Sequence, residues 1–151
     1  MSQRDPIRVF VTHSFEEGDD YMRVFEYLES AKNFYYKNCS LPDSKPSAAS
    51  SEALREELRK QMAPSEVVVA LTGLYQTLPD LFLFQLNCAK ANDKPVLLLT
   101  LFGREQPKIK ALEGLIDELV AWDERALIDA VKRQARHEDT TRWDTIEFKL
   151  D

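Results

Sequence analysis

Cysteine and histidine, the side chains of most structural zinc sites and of disulfide frameworks, are scarce in this sequence. The chain has 2 cysteines and 2 histidines in 151 residues, and His13 and His137 are far apart in the sequence. Because zinc sites and disulfide scaffolds need clustered or paired ligands, we expect neither here. Cys39 and Cys88 stand among apolar residues, which predicts reduced, buried thiols.

Long apolar runs and a basic excess are missing as well. No apolar run approaches the ~20 residues that span a bilayer, and the first six residues lack the apolar segment of a signal peptide. We therefore expect a cytoplasmic protein that makes no membrane contact. A formal net charge of −6 and a pI near 5.0 argue against nucleic-acid partners, because proteins that bind the phosphate backbone normally carry a basic surface.

Several catalytic motifs are absent too. With 4 glycines in the whole chain, there is no glycine-rich phosphate loop and no Gly-x-Ser-x-Gly nucleophile elbow. Neither cysteine has an obvious histidine partner in the sequence. The sequence gives no support to a phosphate-loop enzyme, a metalloenzyme or a hydrolase with a catalytic triad.

Apolar periodicity alternates between strand and helix along the chain. We predict strands at residues 7–12, 34–36, 67–71, 96–101 and 119–122, and helices at 19–31, 79–92, 109–118 and 125–136. A further helix, capped by Ser50 or Ser51, is predicted to contain Leu54, Leu58 and Met62 and to end before Pro64. Uninterrupted apolar runs at 67–71 and 96–101 predict strands covered on both faces. The pattern predicts an α/β fold with a doubly wound, five-stranded parallel sheet in the flavodoxin-like order 2-1-3-4-5, with helices on both faces.

The chain is the size of one domain, which we place at residues 1–136, followed by a C-terminal tail at 137–151. In the tail Ile146, Phe148 and Leu150 alternate with charged residues. This period of two predicts an edge strand, or pairing with a second subunit.

The loops after the first and third strands are the expected walls of a ligand cleft. In a doubly wound sheet, ligands bind where the strand order reverses, and these two loops flank that point. The candidate binding residues here are Thr12, His13, Ser14, Phe15 and Gly73. Thr12 to Ser14 offer hydroxyl, imidazole and backbone donors to a ribose or phosphate, while Ser14 could equally only stabilise the strand-to-helix turn. A lone histidine is more often a structural hydrogen-bonder than a general base.

Three segments follow one another in an order typical of a known family. They are Ile7-Arg8-Val9-Phe10-Val11-Thr12-His13-Ser14, the stretch from Asn33 to Pro42, and the stretch from Pro64 to Gly73. Together they resemble the TIR-like domains of bacterial Thoeris anti-phage defence, over about Ile7 to Ala135. In that family, sensor subunits respond to phage and convert NAD into a diffusible nucleotide signal. The resemblance implies NAD as a substrate or ligand and no permanently bound cofactor.

The resemblance also identifies a departure at the site of chemistry. The family pattern is an aromatic residue, three residues, and then a glutamate that holds the ribose hydroxyls and stabilises positive charge as nicotinamide leaves. Alignment places Leu81 at the aromatic position and Gln85 at the glutamate. An amide lacks the negative charge, a loss worth on the order of 10²- to 10⁴-fold in rate. Asp80 could supply a substitute acid, although an N-cap is its commoner role.

The helix that contains Gln85 also predicts assembly. The apolar residues from Leu81 to Leu86 cover more than one face of that helix. TIR-type domains generally assemble and often use this helix, so the resemblance implies self-association through it. Covering by the preceding loop or by the tail stays open. A defence-system effector or a phage protein is the other partner that the resemblance implies.

Two functions follow for this chain. One is a nucleotide-binding, self-assembling module of anti-phage signalling whose NAD cleavage is lost or weak. The other is an active NAD glycohydrolase or cyclase that uses altered residues to make an ADP-ribose-type signal. An FMN-binding flavodoxin-like domain is a third interpretation, but the first loop lacks the Ser/Thr-rich phosphate cradle that FMN needs.

Overall fold

A computed structural model of the chain describes residues 4–47, 50–100, 102–103 and 110–137. Its centre is a five-stranded, all-parallel sheet in the order β2-β1-β3-β4-β5, which confirms the predicted fold class and strand order. The strands are β1 (Ile7–Val11), β2 (Tyr36–Asn38), β3 (Val67–Leu71), β4 (Val96–Leu99) and β5 (Glu118–Leu119). The order reverses between β1 and β3, which pair through Val9 and Val67.

Helices connect the strands on both faces of the sheet. They are α1 (Asp19–Glu29), α2 (Ser51–Met62), α3 (Thr72–Thr77), α4 (Pro79–Ala91) and α5 (Glu124–Arg136), with a 3₁₀ helix at Lys110–Leu115. Ser50 and Asp123 cap α2 and α5, each accepting a hydrogen bond from a backbone N–H of the first turn. None of the helices in the described part of the chain is long and apolar enough to cross a membrane.

Side chains of alternate strand residues build two cores, one on each face of the sheet. On β3, Val67, Val69 and Leu71 face the core beneath α1 and α5, whereas Val68 and Ala70 face the core beneath α2 and α4. This period of two is the reason why the central strands are apolar throughout. Both thiols are reduced and buried, as the sequence predicts.

Four predictions about local structure are wrong. The second strand begins at Tyr36, opposite Ile7, because Phe34 instead packs into the core from the loop before it. Thr72 begins α3 rather than a loop. Lys110–Leu115 is a 3₁₀ helix, and β5 is reduced to Glu118–Leu119. The predicted strand of the tail lies outside the described residues.

Arg136 joins the end of α5 to the first residues of the sheet. Its guanidinium donates to the Glu66 carboxylate at 2.5 and 2.9 Å and to Asp5 at 2.9 Å. Burial raises the pKa of the Glu66 carboxyl, but hydrogen bonds from Arg136 and the Arg8 N–H outweigh it, and the net pKa is lowered. This cluster lies at the amino ends of the strands, opposite the switch-point cleft.

Candidate functional site

A cleft of about 390 Å³ opens at the carboxyl ends of β1 and β3, where the strand order reverses. One wall comes from the β1–α1 loop and the start of α1 and includes Thr12, His13 and Ser14. The other wall comes from the end of β3 and from α3, and includes Gly73. The structure therefore brings together four of the residues that the sequence singles out.

Thr12 fixes the spacing of the two walls. Its N–H donates to Val69 O at 3.0 Å, and its hydroxyl accepts the Leu71 N–H at 3.0 Å. The hydroxyl thus replaces the next carbonyl of the β1–β3 ladder at the point where β1 ends. Thr12 is buried, so it shapes the floor of the cleft between the two loops.

His13 is a buried structural residue with both ring nitrogens engaged. Its Nδ1 accepts the Phe15 N–H at 3.0 Å, which leaves Nε2 as the protonated nitrogen facing Gln61 Oε1 at 2.8 Å. Burial lowers the pKa of His13, and the Gln61 hydrogen bond and the Glu57 charge offset only part of that effect. The imidazole is therefore neutral and is held in one orientation.

Gln61, on α2, is a residue that sequence reasoning missed. Its Oε1 also accepts the Leu41 N–H at 2.8 Å, and its Nε2 donates to Leu41 O at 3.1 Å and to Glu57 at 2.9 Å. This side chain therefore attaches the β2–α2 loop and α2 to the cleft wall at His13. In the sequence it is one polar residue in a highly charged helix, and its spacing gives no sign of this role.

Phe15 lies behind the cleft wall rather than in the cleft lining. Its backbone has a φ of 65°, in the left-handed region that phenylalanine rarely adopts. The N–H bond to His13 supports this turn, and the Phe15 ring meets the imidazole edge-on at 5.0 Å between centroids. Phe15 thus shapes the β1–α1 turn and packs against the core beneath α4.

Gln85 is fully buried, at 0% exposure, on the face of α4 that meets the β1–α1 loop. Its Oε1 accepts the His13 N–H at 3.1 Å, and its Nε2 donates to His13 O at 3.0 Å and to Leu81 O at 3.2 Å. The amide therefore pairs with both polar groups of one backbone residue. It is absent from the cleft lining, and its hydrogen-bonding groups point to backbone.

Leu81 and Asp80 also lie outside the cleft lining. Leu81 is partly buried and packs against the core beneath α4, while Asp80 is exposed in the first turn of that helix. The N-cap is Leu78 and Pro79 begins the helix, so the N-cap interpretation of Asp80 is wrong. Its carboxylate instead lies in the turn where the helix dipole favours a negative charge.

Carboxylates also line the cleft, on the segment that leads from β1 into α1. Glu16, Asp19 and Asp20 all belong to the β1–α1 wall. Asp20 is paired with Arg23 at 2.9 Å, whereas Glu16 and Asp19 make no salt bridge within the described part of the chain. These acids are visible in the sequence between residues 16 and 20. Because acidic residues stabilise a helix N-terminus, their presence there does not by itself indicate a ligand site.

A second, wider depression of about 580 Å³ lies at the amino ends of the strands. Both of its lysines are already paired: Lys94 donates to Ala63 O and Ser65 O at 3.0 and 2.7 Å, and Lys90 pairs with Asp117. The rule for doubly wound sheets places ligands at the opposite edge. No group of three or more metal-binding side chains occurs among the residues that the structure describes.

Comparison with known proteins gives no family assignment. No model of a known protein family matches the chain, and no curated protein matches it.

Proposed function

We propose that this chain is a TIR-like domain of bacterial anti-phage signalling that binds NAD or ADP-ribose in the switch-point cleft and cleaves NAD weakly or not at all. Three features support a ligand at this place. The cleft lies where doubly wound sheets bind ligands. Its volume of about 390 Å³ is within the ~300–1,000 Å³ of small-molecule sites, and its walls combine Thr12, His13 and Ser14 with the apolar Leu71 and Leu74.

The engagement of Gln85 carries the second half of the proposal. A group that stabilises an oxocarbenium-like ion must offer negative charge next to the sugar. Gln85 is uncharged, and its amide is bonded to backbone atoms of His13 and Leu81 inside the protein. The position where the resemblance places the catalytic acid therefore has no negative charge, and its side chain does not extend into the cleft.

Two assays on one preparation test this function. Isothermal titration calorimetry with NAD and with ADP-ribose measures binding, and nicotinamide release from NAD at high protein concentration measures cleavage. We expect heat of binding without nicotinamide release. Absence of binding by both ligands would refute the ligand half of the proposal, and release at rates typical of glycohydrolases would refute the catalytic half.

The cleft carboxylates favour a second candidate, an NAD glycohydrolase or cyclase with an unusual acid. Glu16 and Asp19 line the cleft and have no salt-bridge partner among the described residues, so they could place negative charge beside a ribose. In that case the double variant Glu16→Gln/Asp19→Asn would abolish nicotinamide release. Asp80→Asn would leave release intact, because Asp80 lies outside the cleft lining. Any loss of release in Gln85→Ala would come from a distorted cleft wall, because Gln85 carries no acid. Release that survives the double change would exclude this mechanism.

Self-association through α4 belongs to the same proposal. Phe82 and Leu86 are buried within the subunit, but Leu81, Leu83 and Phe84 are only partly buried, and Leu78 beside them is exposed. Arg55 and Arg59 lie over the Phe84 ring at 5.1 and 5.2 Å, which covers part of it. The apolar strip available to a second copy therefore runs across the outer face of α4, from Leu83 on one side past Phe84 to Leu81 on the other.

Sedimentation velocity across a concentration series tests this interface. Leu83→Lys places a charge in the strip and should shift the protein toward monomer. Met22→Lys is the matched control, because Met22 is an exposed apolar residue on α1, away from the strip. A wild-type protein that stays monomeric at all concentrations, or equal loss of assembly in both variants, would argue against α4 as the interface.

A further inference from the structure

We infer that His13 is a pH-sensitive switch of the cleft: a proton taken up by its Nδ1 breaks the hydrogen bond that holds the turn at Phe15 and releases the β1–α1 wall. This role is independent of any ligand and of the function proposed above. The Phe15 backbone nitrogen lies 3.0 Å from His13 Nδ1. Because a backbone N–H can only donate, Nδ1 presents its lone pair to it and carries no proton.

The imidazole can take up a further proton at Nδ1 alone. Its Nε2 donates to Gln61 Oε1 at 2.8 Å, and the rest of the Gln61 amide fixes this direction. Gln61 Nε2 donates to Leu41 O at 3.1 Å and to Glu57 at 2.9 Å, so the amide oxygen faces His13. An imidazolium donates from both nitrogens. A proton on Nδ1 therefore places two N–H donors against each other, and the bond to Phe15 is lost.

The turn at Phe15 depends on this hydrogen bond. Its φ of 65° lies in the left-handed region, which is unfavourable for phenylalanine. Without the bond to Nδ1, we expect Phe15 to return to a negative φ. Ser14 and Glu16, its neighbours in the chain, line the cleft and should change position with it.

Gln85 confines the change to this turn. It holds the N–H and C=O of His13 from α4, at 3.1 and 3.0 Å, and neither bond involves the imidazole. The backbone of His13 therefore stays in place while residues 14–16 rearrange. A cleft wall that is no longer organised in advance binds a ligand more weakly.

Burial and one nearby charge set the pH of the switch. Burial lowers the pKa of His13 below 6.5, and the Gln61 hydrogen bond and the Glu57 charge offset part of that effect. The wall should therefore be held above pH 6.5 and be released as the pH falls below the folded-state pKa.

The other groups around the ring come from α1, α4 and the cleft lining. Tyr21 of α1 has its hydroxyl bonded to Ser40 Oγ at 2.9 Å, and Gln85 of α4 is uncharged. The carboxylates of the same wall are Glu16, Asp19 and Asp20. Glu57 acts on the His13 pKa from outside the cleft lining, so its removal tests the switch without changing the cleft charge.

Two-dimensional NMR of the ligand-free protein over a pH series tests this role. The ring signals of His13 report protonation, and the Phe15 amide signal reports the turn. Val68, whose N–H donates to Pro95 O at 2.9 Å within the sheet, reports the fold. We expect the Phe15 signal to shift with the same midpoint as the His13 ring, while the Val68 signal stays in place. The protection of the Phe15 amide against hydrogen exchange should fall at least about tenfold across this midpoint.

A charge-matched pair of variants moves the midpoint selectively. Glu57→Gln keeps an acceptor for Gln61 Nε2 but removes the charge that raises the His13 pKa. The midpoints of His13 and Phe15 should therefore move together to lower pH. Glu56→Gln removes the same charge from an exposed side chain of the same helix and should leave both midpoints unchanged.

A substitution of the histidine itself separates the hydrogen bond from the proton. In His13→Asn, the side-chain oxygen can accept the N–H two residues further along, as in an Asx turn, but it takes up no proton in this pH range. The Phe15 signal of this variant should stay constant over the whole series.

Four outcomes would overturn the switch. They are a Phe15 signal that does not move while His13 titrates, a Phe15 midpoint that does not follow Glu57→Gln, a Phe15 transition that persists in His13→Asn, and a Val68 signal that moves together with Phe15. The last outcome would show unfolding of the whole protein instead of release of one wall. Because no nucleotide is present, each of these results leaves the proposed function standing.

Discussion

Replacing Gln85 by glutamate should destabilise the protein rather than create a catalytic acid. The change keeps the acceptor that meets the His13 N–H at 3.1 Å. It replaces the Nε2 donor with an oxygen that faces His13 O and Leu81 O, which lie 3.0 and 3.2 Å from Nε2. An attractive donor position therefore becomes a repulsive contact between oxygens inside the protein.

The loss of stability in Gln85→Glu can be sized from the polar atoms that lose their hydrogen-bond donor, His13 O and Leu81 O. A buried acceptor without a donor costs about 1–3 kcal/mol, and an uncompensated buried charge raises the total to about 3–5 kcal/mol. Burial raises the pKa of the new carboxyl above the ~4.3 of a glutamate in the unfolded chain. The folded variant then binds more protons than the unfolded one, so its deficit relative to wild type should grow as the pH rises above about 4.3.

Urea denaturation of wild type and variant at pH 5 and pH 8 measures both effects. Asn87→Asp is the matched control, since it makes the same change of amide to carboxylate half a turn further along α4 on an exposed side chain. Its cost should stay below about 1 kcal/mol. The reasoning fails if the two variants lose equal stability, or if Gln85→Glu restores nicotinamide release with the stability of wild type.

Three further predictions concern other parts of the fold, all read from urea unfolding. Burial lowers the folded-state pKa of His13 below the 6.5 of a free imidazole. The contribution of neutral His13 to the free energy of unfolding should therefore be fully present above pH 6.5 and be lost as the pH falls below that value. His13→Asn should flatten this dependence while His137→Gln keeps it; a slope that survives in His13→Asn would assign it elsewhere. Arg136→Met should cost about 1–3 kcal/mol, because it removes the partner of largely buried carboxylate oxygens. Arg59→Met, in an exposed pair, should cost less than about 0.5 kcal/mol, and similar losses in both would contradict this ranking. Asp123→Ala should cost about 1 kcal/mol by removing the cap of α5, and an unchanged midpoint would show that the cap is dispensable.

The covering of the sheet by helices on both faces was predictable from single segments of the sequence. Five apolar residues in a row at Val67–Leu71 can be buried only if helices cover both faces of the strand. The second strand was not predictable to the residue, since Phe34 and Tyr36 have the same β propensity and only the register with Ile7 decides which one joins the sheet. Tertiary pairing, rather than local preference, sets that boundary.

The cleft was predictable in position but only partly in composition. Thr12, His13, Ser14 and Gly73 line it because they follow β1 and β3 directly. Gln61 could not be found, because its contact with His13 joins residues 48 positions apart. Glu16 and Asp19 were visible, yet a helix N-terminus explains acids without any ligand. Two features of the site could therefore not be predicted from the sequence. One is a contact between distant residues, and the other is an acidic residue that both suits a helix N-terminus and lines a cleft.

Gln85 and Gln61 together explain why the β1–α1 wall keeps one shape without a ligand. Gln85 holds both backbone polar groups of His13 from α4, and Gln61 holds its side chain from α2. Removing one partner of a buried hydrogen bond costs more than the bond itself contributes, so movement of this residue would leave several groups unpaired at once. A wall fixed in this way is organised before a ligand arrives, which favours binding. If the glutamine at position 85 holds the wall, a carboxylate cannot replace it there without loss of that support. Among the described residues of the lining, the carboxylates that can supply negative charge for chemistry in this cleft are then Glu16 in the β1–α1 loop and Asp19 and Asp20 at the start of α1.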